Sequence, residues 1–245
     1  MKETEAIIER VRRINDAYQH LEISVDSTLT RIKPGQSLMA RLHQTWDPYL
    51  YAHWWPVGVS ENRIIVERPA GERFDPGQIV TLIGLVGQPL LFRRTLRNVM
   101  LLAYDTAPTP LLMTVPWLLG NNISVTLVLL GTAVQYATGH LPPQVEIVHG
   151  EGEMDWPNQV MTVGWADQVF AVVGRDDESG RFSRLMERFR ELRNDVPSNY
   201  LFGVFQPVLP CAAGACHACV LPLRTGSALV CTEGPAYDLT QVMLR

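Results

Sequence analysis

The chain has 245 residues, 47% of them hydrophobic and 19% charged, with a formal net charge of −4. That is the composition of a globular protein with a substantial core, in one large domain or two to three smaller ones. The mild negative charge argues against nucleic acid or an anionic membrane as partner. No apolar run reaches the roughly 18 residues that a bilayer span requires.

Residues 1–18 open with charged, amphipathic sequence unlike a secretory signal. Ile7, Ile8, Val11, Ile14 and Tyr18 recur at helical spacing and predict an N-terminal amphipathic helix docked on the body of the protein. From Leu21 the period changes: Leu21, Ile23 and Val25 alternate with Glu22 and Ser24, as in a half-buried strand. Over residues 19–96 short apolar runs are cut by turns such as Lys33-Pro34-Gly35-Gln36 and Asp75-Pro76-Gly77-Gln78, which predicts a small antiparallel β-barrel. Residues 97–199 read differently. Val99–Leu102, Ile123–Leu130, Val145–Val148 and Val169–Val173 are compact apolar strands, with a proline-bearing helix near Pro110–Leu119 and an amphipathic helix over 182–193. Alternating strands and helices predict an α/β, Rossmann-like parallel sheet. Tyr200–Phe205 supplies one more strand at the head of a small C-terminal domain, 200–245.

All four cysteines lie in that last segment, as Cys211, Cys216, Cys219 and Cys231. Their spacing, C-x4-C-x2-C followed by eleven residues and a fourth Cys, is the plant-type arrangement for a [2Fe–2S] cluster held by four thiolates. Three ligands must converge within nine residues, and Ala212, Ala213, Gly214, Ala215 and Ala218 let the backbone wrap closely around them. Other readings compete. A structural zinc site more often shows two C-x2-C pairs, and only Cys216 and Cys219 form one here. Disulfides need an oxidising compartment that nothing in the sequence signals, and reduced thiols fit a cytoplasmic setting. A Rieske centre needs two histidines, whereas His217 stands alone and reads as a loop residue. No nucleophile–base pair, metalloprotease motif or P-loop is present, so no catalytic residue is named and the chain is expected to make no bonds on its own.

Leu209-Pro210-Cys211, Gly214-Ala215-Cys216-His217-Ala218-Cys219 and Val230-Cys231 through Gly234-Pro235, Tyr237-Asp238-Leu239 resemble the electron-transfer subunit of dihydroorotate dehydrogenase, within the ferredoxin-reductase-like family. The turns at Pro34-Gly35-Gln36 and Asp75-Pro76-Gly77-Gln78, and the strand at Ala166–Phe170, are weaker matches. The resemblance implies an iron–sulfur subunit that exchanges electrons with a partner flavoprotein, the catalytic dihydroorotate dehydrogenase subunit, in a hetero-oligomer serving pyrimidine biosynthesis.

It also implies FAD and NAD, and both motifs depart from the family's. Tyr51-Ala52-His53-Trp54-Trp55-Pro56 stands where the family has its flavin motif and lacks both the arginine and the serine. Arg93-Arg94-Thr95 is a substitute that lies later, at the end of the barrel. The turn after the first α/β strand, Ala103 to Pro110, contains no glycine and carries Asp105 where a pyrophosphate would sit, so NAD is not expected. Two alternatives remain. One is a complete FAD/[2Fe–2S] reductase subunit with flavin contacts from Arg93, Arg94 or Trp54–Trp55. The other is a non-redox scaffold with zinc on the four cysteines.

Overall fold

A computed structural model describes residues 2–42, 50–150 and 154–244; the outermost residues of the first and last predicted domains lie outside them. The first sheet has seven strands: β1 (Lys2–Arg13), β2 (Tyr18–Ser24), β3 (Ser37–Arg41), β4 (Ala52–Trp54), β5 (Pro56–Ser60), β6 (Arg63–Pro69) and β7 (Ile79–Val86). All pairs are antiparallel, in the order β4-β3-β7-β1-β2-β6-β5. The two edge strands are consecutive in the chain and separated by Trp55 alone, so the sheet curls until its ends meet at that corner. Ile8, Leu21, Ile23, Leu38, Trp54, Ile64 and Leu82 fill its interior. Both predicted turns form, each with proline second and a positive-φ glycine third, at Gly35 (φ 94°) and Gly77 (φ 88°).

The predicted N-terminal helix is a strand. β1 pairs with β2 on one side and β7 on the other, so residues 2–13 are not a separate element docked on the barrel but supply its middle. Ala6 and Ile8 point into the core while Ile7 is 48% exposed, a period of two that the i, i+3, i+4 count had hidden. Adjacent isoleucines satisfy either period locally, and two flanking partners decide between them.

The second sheet contains β8 (Asn98–Tyr104), β9 (Ser124–Leu130), β10 (Val145–His149), β11 (Gln168–Val173) and β12 (Leu201–Val204), parallel in the order β10-β9-β8-β11-β12. Helices α1 (Thr109–Leu112) and α2 (Thr114–Gly120) cover one face; α3 (Gln159–Trp165) and α4 (Glu178–Leu192) cover the other. Strands β8 and β11 flank the point at which strand order reverses, and in such sheets the crevice beyond the carboxyl ends there is the usual ligand position. The chain then forms a hairpin of β13 (Val220–Leu223) and β14 (Gly226–Leu229), a short α5 (Val230–Glu233) and β15 (Ala236–Asp238), which closes the second sheet antiparallel to β12.

Candidate functional site

The loop between β12 and β13 carries three cysteines, and α5 carries the fourth. Ala212 (φ 51°), Gly214 (φ 74°) and His217 (φ 55°) are all left-handed, and these reversals turn consecutive N–H groups toward sulfur. Ala213 N and Cys216 N donate to Cys211 Sγ at 3.5 and 3.4 Å. Gly214 N donates to Cys231 Sγ at 3.2 Å, and Cys231 N to Cys219 Sγ at 3.5 Å. Cys211 and Cys216 face outward; Cys219 and Cys231 are buried, and none of the four is in a disulfide. The N–H groups of Ala213 and Cys216 lower the Cys211 thiol to a pKa of about 7, whereas burial, then the Cys219 thiol, raises Cys231 to about 11. His217 is exposed, a loop residue as its spacing implied.

The loop is seated on the first sheet. Gly87 N donates to Cys231 O at 3.0 Å and Gln88 Nε2 to Thr232 O at 2.8 Å. A Cβ on Gly87 would stand 2.8 Å from Gly234 O, so only glycine permits this approach. Gln36, from the first predicted turn, holds Gly87 O at 3.1 Å.

At the strand-order reversal the crevice is occupied by the chain itself. The Asp105 carboxylate accepts from Thr132 N at 3.0 Å and from Arg181 Nε at 3.0 Å, and Arg181 also binds Asp176 at 2.6 Å and Gly174 O at 3.2 Å. Gly131, left-handed at φ 58°, leaves the room that the Asp105 carboxylate takes. The hydrogen bonds that Arg181 donates to Asp176, then to Asp105, hold its guanidinium above its usual range. An internal cation thus stands where a dinucleotide fold presents N–H groups to phosphate.

Beside it, a cleft of about 380 Å³ separates the two sheets, lined among others by Tyr18, His53, Trp55, Glu67, Thr109 and Arg175. Trp54 is buried inside the first sheet against Phe74, and Trp55 joins the α/β core with its ring 4.7 Å from His53. His53 Nε2 meets Ser37 Oγ at 2.7 Å; burial, with Arg175 nearby, lowers its pKa to about 3 and keeps the ring neutral. Arg93 does not reach this cleft. Its guanidinium binds Asp167 O and Ser198 O at 3.1 and 3.0 Å, at the amino end of β11, the opposite edge of the sheet. Arg93 therefore anchors backbone. The cleft carries Arg68 and Arg175 beside Thr106 and Thr109, and it also faces the buried Glu67 carboxylate.

That carboxylate, Glu67, was missed in the sequence. Its side chain is fully buried and accepts from Thr109 Oγ1 at 2.6 Å and Tyr136 OH at 2.8 Å, with His20 and His140 beside it. Burial raises the Glu67 carboxyl, but the neighbouring His20 imidazole and the hydrogen bonds from Thr109 and Tyr136 outweigh it and leave the pKa below its ordinary value. The available signal was a pair of polar residues, His20 and Glu67, inside strands otherwise read for their apolar positions.

Residues 206–243 match the family described as the iron–sulfur cluster binding domain of dihydroorotate dehydrogenase B. The match is confined to the tail. No curated protein matches the chain. Among solved structures, a chain of the NADH-dependent reduced ferredoxin–NADP oxidoreductase, studied for flavin-based electron bifurcation, is 15% identical over 97% of this chain and 89% of its own, with a TM-score of 0.75. Phthalate dioxygenase reductase is 12% identical over 81% of this chain and 66% of its own, at 0.56. The ferredoxin reductase of carbazole 1,9a-dioxygenase is 12% identical over 78% and 68%, at 0.55. At these identities the shared property is the fold, which is ferredoxin-reductase-like. The resemblance to the dihydroorotate dehydrogenase electron-transfer subunit thus holds in the cluster domain by sequence and elsewhere by architecture. Among the described residues no helix is long and apolar enough to cross a membrane.

Proposed function

We propose that Cys211, Cys216, Cys219 and Cys231 are the thiolate ligands of a [2Fe–2S] cluster, and that this electron-transfer subunit exchanges electrons with a partner flavoprotein. The carrying observation is the set of backbone N–H groups aimed at Cys211, Cys219 and Cys231 sulfurs within a segment that matches a cluster-binding family. Such donors favour the thiolate form and orient the ligands. When bound, a cluster of this type takes up and releases one electron at a time. The chain's own contribution is to keep Cys219 and Cys231 dry, to leave Cys211 and Cys216 at the surface within reach of a partner, and to fix the loop on the first sheet through Gly87. We assign the partner as the catalytic dihydroorotate dehydrogenase subunit, in cytoplasmic pyrimidine synthesis, on the family of residues 206–243. The three units we assign are a sheet domain through residue 96, an α/β domain over 97–199 and a cluster domain over 200–245.

Oxygen-free reconstitution with ferrous salt and sulfide tests the cluster. Two iron and two sulfide per chain, with a reduced-state EPR signal lost in each Cys→Ser variant, is the expected result. Zinc at one equivalent with neither iron nor sulfide would replace this reading by the scaffold. Co-purification with a dihydroorotate dehydrogenase subunit tests the partner. Release of flavin on gentle heating would restore the complete reductase reading, with the cleft at His53 and Trp55 as its place.

A further inference from the structure

His20 and Glu67 are directly opposed residues of β2 and β6, on the face of the first sheet that meets the α/β domain. His140 reaches the same point from the α/β side, in the loop that follows Gln135. His20 Nε2 lies 3.4 Å and His140 Nε2 3.7 Å from the same oxygen, Glu67 Oε2, and the three donor atoms all lie within 4.8 Å of one another. Both separations exceed an ordinary N–H···O hydrogen bond, and His20 Nε2 makes none of normal geometry although it is buried. They approach the edge of a tetrahedron, roughly 3.3 Å when metal–ligand bonds are about 2.0–2.1 Å.

We propose that His20, Glu67 and His140 hold a divalent transition-metal ion of the zinc class, which fastens the first sheet to the α/β domain. Two imidazoles and one carboxylate are the borderline donors that such ions select, and three protein ligands leave a fourth position open. The surrounding groups already orient the set. Thr109 Oγ1 donates to Glu67 Oε1, and Tyr136 OH donates to Oε2 while lying 3.3 Å from His140 Nε2, the outer contacts that metal-ligating carboxylates commonly have. The His20 and His140 rings are nearly perpendicular, at 85° with centroids 5.6 Å apart, so they do not stack against each other. A dication here neutralises a carboxylate that is otherwise buried between two imidazoles. None of these residues belongs to the cysteine loop, so the site stands or falls independently of the cluster.

Equilibrium dialysis against zinc, followed by metal analysis, tests it in two full-length forms: the chain with its cluster reconstituted and a variant with all four cysteines changed to serine. Each is expected to take up one zinc, lost in His140→Ala and weakened about 10–100-fold in Tyr136→Phe, which removes only the outer contact. With cobalt, the serine form should show ligand-field bands without thiolate charge transfer. Zinc that disappears with the cysteines, zinc uptake unchanged by His140→Ala, or no uptake by the serine form would each overturn the proposal. His140 is a loop residue, so its truncation leaves the fold in place. If the chain cannot be loaded with iron and sulfide, the serine form still decides this question.

Discussion

At the scale of single residues, the cluster loop depends on backbone sign. Gly214 is left-handed, donates to Cys231 Sγ and sits where a Cβ would meet Thr232 Cγ2 at 3.1 Å. Gly214→Val is expected to cost about 1–3 kcal/mol in the loaded protein and to lower iron and sulfide content, read by metal analysis and thermal melting. Glu178 offers a pH signature. Burial raises its pKa from 4.5 to about 7, although Gln206 N donates to it at 2.7 Å. Between those values the folded protein retains a proton that the unfolded chain releases. Stability is therefore highest below about pH 4.5 for this group and falls as pH rises to about 7, by about 1–3 kcal/mol once partial exposure is allowed for. Glu178→Gln should flatten that fall in denaturant titrations; an unchanged profile would reject the assignment.

Among elements, β1 is where sequence and structure part. The strands at 99–102, 123–130 and 169–173 were legible because β-branched and aliphatic runs buried on both faces have no competing period, and the edge strand at 145–148 was legible from its apolar Val145, Ile147 and Val148. The helix at 182–193 was legible because Phe182, Leu185, Met186 and Phe189 fit only a period near 3.6. Residues 4–13 fitted both periods, and pairing with residues some 70 positions away chose between them. The cysteine spacing was legible because ligand chemistry fixes it, whereas His20, Glu67 and His140 converge only in three dimensions. The strand assignment makes an unequal pair: Ile8→Ala should cost about 2–5 kcal/mol and Ile7→Ala under about 1 kcal/mol in urea melts. Equal losses would favour a different packing of this segment.

Across the whole molecule, two sheets meet over few polar anchors. Thr109 and Tyr136 of the α/β domain both donate to Glu67 of the first sheet. Tyr136→Phe should therefore destabilise the chain by about 1.5–3 kcal/mol, since it removes a hydrogen bond to a buried charge. Calorimetry should show the loss in the transition that separates the two domains. The cluster loop is tied to both domains as well, through Gly87 to the first sheet and through β15 to the second, so its geometry registers their relative position. With Cys211 and Cys216 outward and Cys219 and Cys231 inward, the two iron positions of the proposed centre would be inequivalent. Water dipoles can reorient around the outer one and not around the inner, so the reduced state should localise its ferrous character at the outer metal. Mössbauer spectra would then show one ferric and one ferrous component rather than a shared average, and chelators should strip the outer atom first.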